Sequence, residues 1–552
     1  MSIANKNHKI RLLFLKSKQI KEDKFYFNAV NETKLKKEMD MLNKKLKMAA
    51  TILNIIQVIP VVILEIFIYM ILTYNNNVAL NYIPVRLIVV VEIAIVLWML
   101  IPFFIKKNKA GAIISIIMSV IMIVMSVGAD IAIGLNQKTI KGIFKESEKT
   151  IDKIVNNSKL STDEFGVYIL SDDEAKNIEE LKDDKFGYIQ KFVGDDKDEL
   201  LNNINEKINQ DGNYQEYDDV ITMTEALYNK ETRAIVLNQS MIDVITSMGE
   251  KKNDEADYTD FESKVKCIYT YKVTHQVQNE NKKKDITKEC FNVYISGIDT
   301  FGAVTTKSRS DVNIIMSVNP QTRQILLLST PRDYYVPLSN SNGVRDKLTH
   351  AGLYGVDVSM ETLEMLYDID IDYYVRVNFD GFKDIINALG GIDVDSECAF
   401  SAKGYSYSQG INYNMNDDKA LVFARERKSF ARGDVQRGKN QMSVIKGVIS
   451  KCASPSILNN YQKILESISE SFQTSVSKKN IQKFVKFQLA NGYEWNIQSY
   501  NVSGSGQSNY TYSVPSNRAY VMVPNEETVA KAKEWLKIVT DGGELKDVTE
   551  EN

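Results

Sequence analysis

Phe291-Asn-Val-Tyr-Ile-Ser-Gly297, Asp311-Val-Asn-Ile-Ile-Met-Ser-Val318 and Gln324-Ile-Leu-Leu-Leu-Ser-Thr330 are three short apolar runs rich in strand formers. Each reads as a strand, and Asn319-Pro320 marks the turn between the second and third. The apolar periodicity then turns helical over about 344–367. A strand follows at Ile371–Val377, then a helix at Phe379–Leu389 that stops at Gly390-Gly391. Buried-looking strands alternating with helices predict a layered α/β core.

Outward from that core the chain changes character. Its 552 residues are too many for one core. Residues 135–285 are polar and irregular, with a helical stalk at Leu135–Asn157, strands at Gly166–Leu170 and Glu231–Leu237, and helices at Asp198–Ile208 and Gln239–Ser247. This predicts a small α/β accessory domain without a chemical constellation. Its acidic runs, Asp172-Asp173-Glu174 and Asp195-Asp196, read as solvated surface. The four cysteines include no CxxC, three histidines are too few for a His-based metal site, and no Ser-His-Asp set stands out. Cys267 and Cys290 flank an expected hairpin, with strands near 267–276 and 287–296 and a turn near Asn279-Glu280-Asn281. That placement permits a disulfide outside the cell and equally permits two free thiols.

Three apolar stretches, about 48–72, 83–105 and 110–134, are each long enough to span a bilayer as a helix. The leader, residues 1–47, carries 13 Lys/Arg against 5 Asp/Glu. The first connection, Thr73–Tyr82, has no Lys or Arg, whereas the second holds Lys106, Lys107 and Lys109. The positive-inside rule therefore places the leader in the cytoplasm and everything beyond residue 135 outside. Glu65, Arg86, Glu92 and Asp130 lie within the spans. Ion pairing of Arg86 with one of the carboxylates is expected to hold the helices together, a polar notch for a lipid headgroup being the alternative. The expected plan is a basic cytoplasmic arm (1–47), three transmembrane helices (48–134), stalk and accessory domain (135–285), catalytic domain (286–541) and polar tail (542–552).

Between Leu421 and Gln441 the chain packs four arginines and two lysines around two carboxylates. Guanidinium forks match phosphate oxygens two at a time, so such a cluster suits a multiply charged oxyanion. The net charge of −3 argues against bulk nucleic-acid binding. Asp434, Arg437 and Gln441 share one face of a helix beginning near Gly433. Arg425 and Arg427 point to one side if the backbone there is extended. Arg309 and Arg332 stand at strand ends. Asp299 and Asp311, also at strand ends, suit Mg²⁺ completed by substrate phosphates, although aspartates are common in turns.

The segments Ser308-Arg-Ser-Asp311, Thr330-Pro-Arg-Asp333, Lys347-Leu-Thr-His-Ala351, Val377-Asn-Phe-Asp-Gly-Phe382 and Arg425-x-Arg427…Gly433-Asp434-x-x-Arg437-x-x-x-Gln441 together resemble the LytR-CpsA-Psr family, in the same order. The three spans and accessory domain resemble its capsule-associated members. The resemblance covers about 290–540 and implies a three-layer α-β-α sandwich with an apolar cavity for a polyisoprenyl chain. It implies transfer of a glycopolymer, of capsule or teichoic-acid type, from a polyisoprenyl (di)phosphate carrier to a peptidoglycan hydroxyl. It assigns Asp299 and Asp311 to Mg²⁺, and Arg309, Arg332, Lys347, Arg425, Arg427, Arg437 and Gln441 to the pyrophosphate. The family often ends its last motif with an arginine and two glutamines, where this chain has Asn440-Gln441-Met442.

Arg332, Arg425, Arg427 and Asp434 are therefore the expected catalytic set, with Asp434 either taking the acceptor's proton or orienting arginines. Asp311 and Arg332 are expected to face solvent, so that their loss spares stability. A non-catalytic receptor for lipid-linked precursors and a lipid pyrophosphate hydrolase are the competing functions.

Overall fold

The structure, a computed structural model, describes residues 3–73, 85–248, 258–277, 284–298, 303–431, 433–454, 464–467, 469, 471–492 and 494–545. It divides into two compact units, Met1–Lys145 and Glu146–Asn552.

The first unit holds the helices Ile3–Ile56, Val58–Leu72 and Val85–Ile105 and the beginning of Lys109–Asn157. Three stretches, in Lys16–Leu72, Val85–Ile105 and Lys109–Gly134, are long and apolar enough to cross a membrane. Uncharged polar groups join these helices. Ser119 Oγ donates to Asn54 Oδ1 at 2.7 Å, and Ser115 Oγ lies 3.0 Å from the same oxygen. Gln57 Nε2 donates to Met99 O at 2.9 Å. Such contacts, with the buried Ala50 and Ala112, let helices approach closely in an apolar medium. The expected Arg86 ion pair is not formed among the described residues. Arg86 is exposed at the start of its helix. A long side chain in a first turn extends outward rather than across a helix interface.

The second unit contains two main sheets. The smaller domain has five strands in the order Asn213–Glu216, Lys185–Tyr188, Ala234–Asn238, Leu160–Leu170, Val265–Gln276. The larger sheet has six, in the order Phe472–Thr474, Tyr373–Val377, Phe291–Ile298, Ser310–Asn319, Gln324–Ser329, Asn496–Asn501. Here the expected hairpin fails. Val265–Gln276 pairs along its whole length with Leu160–Leu170, whereas Phe291–Ile298 lies in the other sheet between Tyr373–Val377 and Ser310–Asn319. Cys267 and Cys290 are free. The expected turn falls outside the described residues.

All six residues of Gln324–Ser329 are buried, as a central strand covered on both faces requires. Alternate residues serve different cores. Tyr294, Ile315, Leu326 and Leu328 pack with Leu363, Ala532 and Leu536 on one face. Val293, Ile314, Ile325 and Leu327 pack with Met442, Ile445 and Phe484 on the other. The period of two in the strands thus seats the helices Val356–Tyr367 and Glu526–Thr540 opposite Asp434–Ala453 and Lys478–Asn491. The helical reading of 344–367 is corrected in detail. Arg345–Lys347 forms a short strand with Tyr335–Pro337, and the helix breaks at Gly355, whose φ of 139° lies in a region that favours glycine.

Asp434–Ala453 sits tightly on the sheet because Gly438 has no side chain. A Cβ there would come 2.7 Å from Ser329 Oγ and 2.8 Å from Asn501 Oδ1, at the ends of two neighbouring strands. Gly438→Val should displace this helix and cost about 1–3 kcal/mol. A lowered midpoint of unfolding for the full chain in detergent checks this; an unchanged midpoint contradicts the close seat.

Candidate active site

The parallel pairs of the larger sheet join Tyr373–Val377 to Phe291–Ile298 and Gln324–Ser329 to Asn496–Asn501. Their carboxyl ends lie along one edge, where α/β sheets place ligands. Asp311 stands at that edge on a bulge. Gly297 pairs with Val312 and Ile298 with Ser310, so Asp311 is left without a partner across the strands. A bulge re-aims the side chain it carries.

Arg332, three residues past the end of Gln324–Ser329, reaches Asp311 Oδ2 with Nη1 at 2.7 Å. Thr349 Oγ1 donates to Asp311 Oδ1 at 2.9 Å. Burial pushes the Asp311 carboxyl up, but the guanidiniums of Arg332, Arg309 and Arg437 outweigh it and hold the group well below the usual range. Arg332 Nε is 3.6 Å from Asp333 Oδ2, and Asp333 Oδ1 is 3.4 Å from Lys347 Nζ. Only 12% of the Asp311 side chain and 17% of that of Arg332 are exposed, which corrects the expectation that they face solvent. Mutual neutralisation lets both be buried at a packed sheet edge.

The other cations arrive from Asp417–Arg425 and Asp434–Ala453. Arg425 ends the first helix rather than starting an extended pair; Glu426 after it is extended (φ −68°, ψ 129°). The Arg425 guanidinium stacks 4.0 Å from the Phe379 ring centroid. Arg437 forms an ion pair with Asp434 in the first turn of its helix. Burial, reinforced by Asp333 and Asp311, raises the Asp434 carboxyl despite that partner.

A cavity of about 260 Å³ gathers these groups. Asp311, Arg332, Arg425, Arg427, Arg437 and Gln441 line it, giving four guanidiniums to one carboxylate. Apart from Asn378 the remaining wall is apolar and includes Ile295, Val377, Phe379, Phe382, Leu421 and Ile445. One helix carries the change of polarity. Arg437, Gln441 and Ile445, spaced by four residues, pass from cation to amide to aliphatic along a single face. Lys347, Arg309 and Asp434 do not line the cavity; they touch Asp333, Asp243 and Arg437 beside it. Asp299 and Arg432 lie outside the described residues.

Several site residues carried no signal of their own in the sequence. Phe379 and Phe382 sat inside a quoted motif and still read as ordinary helix core. Thr349 and Asp333 also sat in quoted motifs, but only folding turns them toward Asp311 and Arg332. Just below, Asp346 accepts from Ser513 N at 2.7 Å and Oγ at 2.6 Å and lies 2.7 Å from His350 Nδ1. The serine and histidine both bind the aspartate, all three are buried, and the set acts as a brace under Lys347.

The model of the LytR_cpsA_psr family matches residues 252–534. This chain belongs to that family. Among LytR_cpsA_psr relatives, a Halalkalibacterium halodurans protein described as polyisoprenyl-teichoic acid–peptidoglycan teichoic acid transferase TagU is 31% identical over 268 residues, 47% of this chain and 84% of that one. The Enterococcus faecalis protein of the same description is 36% identical over 216 residues, 38% of this chain and 70% of that one. The crystal structure of B. subtilis TagV is 30% identical and covers 46% of this chain and 98% of that one, with a TM-score of 0.39.

Removing Arg332 leaves the Asp311 carboxylate buried without its nearest cation. Arg332→Ala should therefore cost about 3 kcal/mol of stability as well as function. Asp311's depressed carboxyl contributes stability above its unfolded value of about 3.9, and that contribution disappears as pH falls toward the folded value. The stability gap between parent and variant should be full above pH about 4 and narrow below it. A gap independent of pH in thermal unfolding would remove Asp311 as the group responsible.

Proposed function

We propose that this protein transfers a glycopolymer from a polyisoprenyl diphosphate carrier to a sugar hydroxyl of peptidoglycan. The observation that carries this is the two-sided cavity. Four guanidiniums at one wall suit the charge of a diphosphate, and the aromatic and aliphatic wall suits the first part of a lipid tail. A ligand with both features is a lipid-linked phosphate. The sandwich-like α/β scaffold supplies the rigid edge on which both walls are mounted.

Phosphoryl transfer asks for positioning and charge neutralisation more than for covalent chemistry from the protein. Arg332, Arg425, Arg427 and Arg437 hold the diphosphate oxygens and stabilise the charge that grows as the lipid phosphate departs. Gln441 adds an amide at the boundary with the tail. Lys347 and Arg309, outside the cavity wall, add positive potential. The incoming hydroxyl attacks the phosphorus bonded to the glycan, and Asp434 receives its proton. Burial has already raised that carboxyl toward a proton acceptor's range.

Asp311 is a hard oxygen donor at the phosphate end, of the type Mg²⁺ takes, and Asp299 would be its second carboxylate. When bound, the ion would neutralise phosphate charge. The three apolar helices anchor the chain in the membrane. The charge bias of their connections favours a cytoplasmic N-terminus and an outward-facing catalytic domain.

Full-length protein incubated with a lipid-linked oligosaccharide, Mg²⁺ and peptidoglycan fragments should attach glycan to the fragments. Release of free phosphorylated glycan would mean hydrolysis, and binding without either product would mean a receptor. Asp434→Asn should lower turnover by about 10²–10⁴-fold. Because the base acts when deprotonated, turnover of the parent should fall as pH drops through the raised Asp434 value. The same acid limb in Asp434→Asn would exclude Asp434 as the base.

A further inference from the structure

Arg309 is held by a residue that belongs to the other sheet's domain. Its Nη2 lies 3.1 Å from Asp243 Oδ2, across 66 residues of sequence. Asp243 sits in the first turn of the short helix Ile242–Ser247, which follows the innermost run of the small domain, Ala234–Asn238. The Arg309 side chain is only 12% exposed, and its buried Nε–H has no hydrogen-bond partner among the described residues. Arg309 stands two residues before Asp311, and its charge bears on that carboxylate.

The segment carrying Arg309 is strapped to the small domain. Thr162 N donates to Thr305 O, and Lys307 N donates to Thr162 O, both at 2.9 Å. Lys307 Nζ lies 2.6 Å from Asp163 Oδ2, on an almost fully buried carboxylate. From the catalytic side, the buried Arg376 donates to Val304 O at 3.1 Å and to Thr306 O at 2.8 Å. Gly352 passes so close that a Cβ there would meet Ser308 O at 2.6 Å. The two domains also share apolar packing, with Leu353 and Val514 set among Met241, Val244, Ile245 and Phe261. Asp243 is therefore fixed in place with respect to the phosphate end of the cavity, and the domain that supplies it cannot drift away without breaking a core.

We propose that Asp243 is a positioning residue of the transfer site, through which the accessory domain fixes Arg309 so that its positive charge stays beside Asp311 at the phosphate end of the cavity. Without the Asp243 carboxylate, Arg309 would be free to turn toward Asp311, on which its charge already acts, and compete with Arg332 for it. The inference rests on the reading of the cavity as a lipid-diphosphate site. It adds that this site is incomplete without a residue from the small domain.

Binding of geranylgeranyl diphosphate to the full chain in detergent micelles tests the two separately. Asp243→Ala should weaken binding by about 2- to 150-fold, the span of couplings between residues in contact. Arg309→Ala should weaken it at least as much, and the double variant should bind no worse than Arg309→Ala alone. Asp243→Glu should recover part of the loss. Asp172→Ala, an exposed change in the same domain, should leave affinity unaltered. Asp243 is half exposed, so its variants should unfold within a few degrees of the parent, and thermal scans check that. Parent-like affinity for Asp243→Ala or for Arg309→Ala would overturn the positioning role, and so would a double variant losing the product of the two single losses. Parent-like affinity for Arg332→Ala would instead overturn the diphosphate site itself.

Discussion

The site depends on a buried carboxylate surrounded by guanidiniums. Asp311 alone at a sheet edge would be expelled or protonated, because an unpaired charge in a packed environment costs several kcal/mol. Arg332, Arg309 and Arg437 without it would repel one another across the same space. Each sign stabilises the other, and the balance is deliberately unequal at the cavity wall, with four guanidiniums to one carboxylate. The remaining positive potential would attract a polyanion. Among the described residues the buried Nε–H groups of Arg309 and Arg332 make no hydrogen bond, although Arg332 Nε lies 3.6 Å from Asp333 Oδ2.

The fold converts sequence periods into that chemistry. A period of two in the central strands divides their side chains between two helical layers. A period of four along Asp434–Ala453 then lays Arg437, Gln441 and Ile445 on one face, so the polarity of the cavity changes across about two turns of a single helix. The bulge at Asp311 breaks the period of two at one position and turns a carboxylate toward the cations. Regular repeats thus build the walls, and one irregularity builds the centre.

Local patterns were the legible part of the sequence. The strands at 291–297, 311–318 and 324–330, the helix after Gly433 and the cations of the last motif all follow from spacing within about twenty residues. What was not legible depended on which segments meet. Val265–Gln276 looked like half of a hairpin because a strand and a turn-like segment follow it; its long register with Leu160–Leu170 decided otherwise. Arg86 looked like the partner of a carboxylate because sequence reports depth along a helix and not which side faces a neighbour. Asp243 lay in a domain without any chemical pattern, and only the strapping of residues 305–307 to Thr162 brings that domain to Arg309. Burial of Asp311 and Arg332 was hidden for the same reason: each looks costly alone, and only the pair makes it tolerable.

On the proposed reading, the size of the cavity constrains how a lipid-linked donor is held. About 260 Å³ is below the roughly 300–1,000 Å³ of sites that enclose whole small ligands. It can take a diphosphate and the first part of a lipid tail, and the glycan and the rest of the tail must lie elsewhere. On that reading the cavity encloses only part of the donor. Anchoring through the three apolar helices would hold the remainder of such a donor nearby. A protein and a lipid confined to one membrane meet at an effective concentration far above that of either in bulk. The cavity is then free to spend its contacts on the phosphates, where charge changes during transfer, and uniform grip on the tail would add little to the rate.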